Sequence, residues 1–230
     1  MISFRFQRIL TIRVAFAVVL LGLAMANARA QSATAPRADN QVWTDVQLAV
    51  PLNDKTDLVL LGVLRLGRDI TRPVNERIGA GISTKIGKHL TLFPFYQHIA
   101  SQPIATNHST EERITLEATA KFPIKHFTLS DRNRLEFHFR SPPLHFTQYR
   151  NRLHLEHPLK INRFELEGFI ADEVFYDSIA SAWIRNRFSI GFAKKFNRHF
   201  SLELYYLRQN DSHSHPGDIN ALGNAFKFRL

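Results

Sequence analysis

The feature that most constrains this chain is a period of two. In Arg132-Asn133-Arg134-Leu135-Glu136-Phe137-His138-Phe139-Arg140 every even position is charged or His, while Leu135, Phe137 and Phe139 share the other parity. Arg150 to Glu156 and Arg185 to Phe192 repeat the scheme. Successive side chains on a strand point to opposite faces, so each segment has one apolar and one ionic face. Eleven such segments can be marked, at 42–52, 57–67, 76–86, 90–100, 111–122, 127–140, 146–157, 164–176, 183–195, 200–208 and 220–230. After residue 30 no run has helical spacing.

The connections also alternate. Short turns at 53–55, 87–89, 123–126 and 197–199 contrast with longer polar loops at 69–75, 101–110 and 209–218. Segments near ten residues, with short turns at one end and longer loops at the other, predict an all-β, transmembrane, antiparallel up-and-down barrel. A β-sandwich or lipocalin-like barrel also alternates, but it hides its apolar face and shows mixed polar residues to water. Here long Arg and Glu side chains share one face across neighbouring strands, and the other face is bulky and continuous. Lipid satisfies such a face, and closure removes every unpaired edge. Aromatic residues near segment ends (Phe93, Phe95, Tyr96, Phe122, Phe127, Tyr149, Phe164, Tyr176, Phe196, Phe200) are expected to form interfacial girdles. Bacterial single-chain barrels have even strand numbers, so eleven segments predict ten or twelve strands, with twelve preferred.

The N-terminus carries a separate signal. Arg5, Arg8 and Arg13 precede an apolar stretch, Val14 to Met25, and Ala28-Arg29-Ala30 places small residues where a signal peptidase reads. That stretch is shorter than the about 20 residues a spanning helix needs. The expected organisation is a signal peptide at 1–30, a flexible lead-in at 31–40 and the barrel at 41–230. Without the four leader arginines the chain has 26 basic and 20 acidic residues, a net +6, so much of the basicity belongs to the leader. Export and this modest charge argue against a nucleic-acid partner. The chain has no Cys, which removes disulfides, thiolate metal sites and thiol catalysis together.

A set of ordered motifs covers nearly the whole remaining chain. It comprises Trp43, the R-x-R-x-E-x-x-x-R strand at Arg132 to Arg140, and the R-x-R-x-x-x-E-x-P-L run at Arg150 to Leu159. Asp172-Glu173-Val174-Phe175, the paired segments at 185–209 and the His-rich final loop complete it. In these the chain resembles the bacterial outer-membrane family catalogued as domain of unknown function 2490. The resemblance implies an exported β-barrel in the outer membrane of a Gram-negative cell, without an assigned activity. Such barrels more usually end in Phe, where this chain has Leu230.

The presumed inner face of segments 5 to 9 carries Arg113, Lys121, Arg132, Arg134, Arg140, Arg150, Arg152, Arg185 and Arg187. Against these stand Glu111, Glu117, Glu136, Glu156, Glu165, Glu167 and Glu173. Strands about 4.8 Å apart let Arg and Glu pair across the wall and fill a small barrel. The residues therefore predict an internal ion network in a non-enzymatic barrel. Alternatively, the R-x-R pairs on three strands line a narrow, anion-preferring channel for small or acidic solutes. A lipid-modifying hydrolase is the weakest reading, because Asn107-His108-Ser109 and His213-Ser214-His215 are consecutive and cannot converge as a triad. His108, His213 and His215 could in principle gather round a metal, but scattered His make coincidence the better explanation. No cofactor is expected. The expected partners are outer-membrane lipid, the barrel-assembly machinery during insertion, and small anionic solutes.

Overall fold

The computed structural model describes residues 37–142, 144–161 and 164–230. The expected signal peptide and most of the lead-in lie outside the described residues. Regular structure begins inside the expected lead-in, at Ala38. The strands are β1 (Ala38–Pro51), β2 (Thr56–Gly67), β3 (Arg72–Ile86), β4 (Leu90–Ile104), β5 (Asn107–Ile124) and β6 (Phe127–Ser141). They continue as β7 (Leu144–Ile161), β8 (Phe164–Asp177), β9 (Ala182–Lys195), β10 (Phe200–Asp211) and β11 (Asp218–Arg229).

Among the described residues these eleven strands form one closed barrel, each paired to its sequence neighbours and β1 paired to β11. The expectation of ten or twelve strands, twelve preferred, is therefore wrong, and so is a wholly antiparallel wall. Hairpin-connected strands alternate in direction, so an odd number closes only if the first and last run parallel. They do, in a continuous register from Ala38↔Asp218 to Ala49↔Arg229. A parallel ladder is slightly weaker per residue than an antiparallel one, but it leaves no free edge. Trp43, Leu207, Ile219 and Ala221 pack together on the inside of this seam, with Tyr205 against them. Gly223 is required there, because any Cβ at that position would collide with the Tyr205 ring.

The expected long loops are mostly strand. Ser101 pairs with Ser109 and Ile104 with Asn107, so the segment read as loop 101–110 is a hairpin. β10 likewise continues to Asp211, and β3 begins at Arg72. Backbone pairing does not require an apolar face, so polar residues extend the ladder beyond the alternating region. The strands accordingly run 12 to 18 residues.

The parity of β6 places Leu135 and Phe139 outside, and the same exposed apolar surface includes Ile78, Leu116, Leu153, Ile170, Ile190 and Leu222. Aromatic groups gather at two levels of this surface. Phe196 stacks on Phe200 and Phe200 on Phe228 at the end bearing the 51–56 and 195–200 turns. At the opposite end Trp183 meets Tyr149 and Tyr176 edge-on. Phe93 and Phe95 do not join a girdle. They are buried on the inner face, stacked at 4.7 Å, because their parity is that of Gln97 and Ile99. Nor is the outer face continuously apolar. Asn151 Nδ2 donates to Asp131 at 2.6 Å and to Asn133 at 3.0 Å, and Asn186 Nδ2 donates to Asp172 at 2.9 Å.

The parallel seam makes a direct prediction in a chain without native Cys. Val42 and Leu222 are paired across it, within disulfide reach of one another. Oxidation of a Val42→Cys, Leu222→Cys variant should give a reducible shift in gel mobility. A Val42→Cys, Phe228→Cys variant is six residues out of register, since Phe228 faces Leu48, and should give none.

Candidate functional site

The lumen is built from the inner parity of every strand, and its centre is a chain of shared carboxylates. Arg140 Nη2 reaches Glu111 Oε2 at 2.8 Å, and Arg113 holds Glu111 Oε1 at 2.5 Å and Glu136 Oε2 at 3.3 Å. Arg150 then bridges Glu136 Oε1 at 2.7 Å and Glu173 Oε1 at 2.8 Å, and Arg132 reaches the same Glu173 oxygen at 2.8 Å. The relay links β5, β6, β7 and β8. His138 lies 2.9 Å from Glu111 and 3.3 Å from Glu136, outside hydrogen-bond geometry for both.

Much of the pairing is the cross-strand ladder expected, with Glu111 facing Arg140 and Glu117 facing Arg134 in register, but β6 and β7 depart from it. In register, Arg132 faces Arg152 and Arg134 faces Arg150, so like charges sit directly opposite on β6 and β7. Such juxtapositions are unfavourable. They are relieved by reaching sideways: Arg134 Nε to Glu117 on β5 at 2.5 Å, and Arg132 past β7 to Glu173 on β8.

The other expected residues take different places. Arg185 pairs with Asp211 at 2.5 Å and Glu156 with His154 at 3.2 Å. Arg152 and Arg187 form no ion pair among the described residues. Arg187 donates from Nε to Gln209 at 2.8 Å and stacks over Trp43 and Phe175. Glu165 and Glu167 share the inner parity of Glu173 but are exposed at the short-turn rim, opposite Lys160 and Pro158 in register. They therefore do not neutralise the arginine track.

Two central arginines were absent from the expected set. Arg65 of β2 lies with its Cζ 3.8 Å from the Trp43 ring centroid. Arg77 of β3 donates from Nε to Asn75 at 2.5 Å. β2 reads Leu-Val-Leu-Leu-Gly-Val-Leu-Arg-Leu and is apolar on both parities, so its inward face carries no signal before Arg65 is seen in place. Arg77 was legible in principle, since Asn75, Arg77 and Ser83 alternate with Glu76, Ile78 and Ile82.

A cavity of about 450 Å³ occupies the lumen, reaching from Trp43 and Arg187 toward Lys121, Glu156 and Lys227 at the short-turn end. Nine Lys and Arg line it against five Asp and Glu. The loop Ser and His do not form a comparable centre. Ser212 Oγ lies 2.7 Å from His213 Nδ1, but Asp211 Oδ1 accepts from the backbone amides of His213 and Ser214, which is a turn rather than an oriented base. His108 contacts Gln102. Among the described residues no group of three or more potential ligands is placed to hold a metal ion.

These features define a closed β-barrel with a mainly apolar exterior and an ionic, cation-rich interior. The chain belongs to the family described as "Protein of unknown function (DUF2490)", which matches residues 40–220. Among solved structures it is similar to an anion-selective porin from Comamonas acidovorans, at 11% identity and a TM-score of 0.41 over 76% of this chain. The chain spans 54% of the length of that porin. It is also similar to NanC porin, at 10% identity and a TM-score of 0.48 over 84% of this chain and 99% of that one. Among curated proteins none matches.

Glu136 is 2% exposed and shared by two arginines, so Glu136→Ala takes one of two carboxylates from each of two buried cations, leaving Arg113 only Glu111 and Arg150 only Glu173. Removing one partner of a buried pair costs about 3–5 kcal/mol. Asn133 faces outward and bonds Tyr149 and Asn151, contacts each worth about 1 kcal/mol. Urea unfolding in detergent micelles should show Glu136→Ala as much the more damaging. Equal losses would contradict the assignment of faces.

Proposed function

We propose that the protein is exported, resides in a Gram-negative outer membrane and acts there as a non-enzymatic, narrow, anion-preferring barrel for small or acidic solutes. The membrane setting is supported by the closed wall, the exposed apolar surface with its two aromatic levels, and the export-type N-terminus. Outer-membrane lipid is then the partner of the wall, and the barrel-assembly machinery its partner during insertion. The observation that carries the functional reading is the excess of basic over acidic groups lining the lumen cavity, nine against five. Fixed cationic side chains in a narrow, poorly screened space attract anions and repel cations. Arginine is suited to the task because it stays charged and presents a planar fork to carboxylate and phosphate. The relay has a second consequence: where every guanidinium is fully engaged, the same residues close the lumen, and the barrel is a structural element of the membrane.

Conductance decides between these. Refolded protein in a planar bilayer under a salt gradient should carry a steady current whose reversal potential reports anion preference. Arg132→Glu with Arg152→Glu makes the lining seven basic against seven acidic, and the preference should vanish. Absence of current from protein that still migrates as a heat-modifiable barrel would establish the closed form.

A further inference from the structure

Four lumen arginines form no ion pair among the described residues, Arg152 of β7 and three others. Arg65, Arg77 and Arg187 come from β2, β3 and β9, line the same cavity, and have no carboxylate at ion-pair distance among the described residues. Arg65 links them: it and Arg187 both stack on Trp43, at 3.8 and 4.9 Å, and it faces in register Asn75, the residue that holds Arg77. Neutral partners fix two of them by Nε alone, Asn75 for Arg77 and Gln209 for Arg187. Arg65 Nε is buried with no hydrogen-bond partner. The terminal amino groups of all three make no hydrogen bond among the described residues.

Gathering like charges away from bulk water is unfavourable unless something neutralises them. The relay arginines meet that requirement with Glu111, Glu136 and Glu173. No carboxylate stands at ion-pair distance from this trio: Asp45, Glu136 and Glu173 act on Arg65, Arg77 and Arg187 only from further off, and each side chain is held by an aromatic ring or an amide. The arrangement is that of a preformed receptor: cations positioned by neutral groups, with their forked ends free.

We propose that Arg65, Arg77 and Arg187 form a binding site for one small oxyanion, a carboxylate or phosphate group, held by guanidinium forks beside the Trp43 ring. This rests on the anion-preferring reading for the solute's route through the barrel, but the site itself does not require conduction. A fork donates two parallel hydrogen bonds to an oxyanion and cannot do so to a halide. The site therefore discriminates by geometry as well as by charge.

Trp43 provides the readout. The chain has two tryptophans, and the second, Trp183, lies exposed on the outer surface. Refolded Trp183→Phe protein in micelles is titrated at constant ionic strength with inorganic phosphate, with acetate, and with chloride. The expected result is a saturable change in Trp43 emission with phosphate or acetate and none with chloride. Whichever oxyanion saturates identifies the class, tetrahedral or carboxylate. Arg187→Gln should abolish the response. Arg77→Gln, which does not touch Trp43, should weaken the apparent affinity at least tenfold while leaving the emission of the free protein unchanged. It keeps the test valid if loss of Arg187 impairs folding. A linear response, an equal response to chloride, or an affinity unaffected by Arg77→Gln overturns the proposal. Saturable binding in a barrel that passes no current would preserve the site and remove the channel.

Discussion

Glu173 takes hydrogen bonds from arginines on two different strands, Arg132 of β6 and Arg150 of β7, and Glu136 does the same for Arg113 of β5 and Arg150. This sharing is the interaction on which the rest depends. It brings cations and carboxylates into an interior where neither would be tolerated alone, and it ties four consecutive strands by side chains as well as by backbone. It also bears on the like-charge positions on β6 and β7: one arginine of each facing pair, Arg132 and Arg150, leans toward the common Glu173, while Arg134 turns to Glu117. A network of this kind is weak ground for claiming net stability, because desolvation offsets much of the attraction. Its firmer consequence is register. A one-residue slip of any of these strands would turn its charges outward.

Closure is the complementary constraint. With eleven strands the wall can close only through a parallel β1–β11 pair, and twelve residue pairs form that ladder. Gly223 makes room for Tyr205, and Tyr205 packs with Trp43 against the inside of the join. The seam is thus continuous with the site, since the same indole receives Arg65 and Arg187. Two lumen cations without an ion pair among the described residues thus meet beside the join of first and last strands.

How much of this the residues disclose depends on the strand. β6 and β7 alternate ionic and apolar positions so regularly that their faces follow from parity alone, and with them most of the relay. β2 is apolar on both parities and hides Arg65. Phe93 and Phe95 lie near the start of β4, as girdle residues would, yet their parity turns them inward to stack on one another. The 101–110 stretch has loop composition and still pairs as a hairpin, because main-chain hydrogen bonding is indifferent to side-chain polarity. Strand number is hidden for a related reason. Whether a chain closes parallel or antiparallel is a global property of the wall, so the general preference for even barrels points away from the eleven strands that the alternating segments themselves mark.

The wall has two faces, one enclosing charge and the other proposed to meet lipid. Because the chain has no Cys, single cysteines at positions 134 to 139 of β6 can each carry a nitroxide in protein reconstituted into lipid vesicles. Power saturation with oxygen, which partitions into hydrocarbon, should be strong at Leu135, Phe137 and Phe139 and weak at Arg134, Glu136 and His138. An absent alternation, or one of opposite phase, would contradict a barrel that holds its charges inside a membrane.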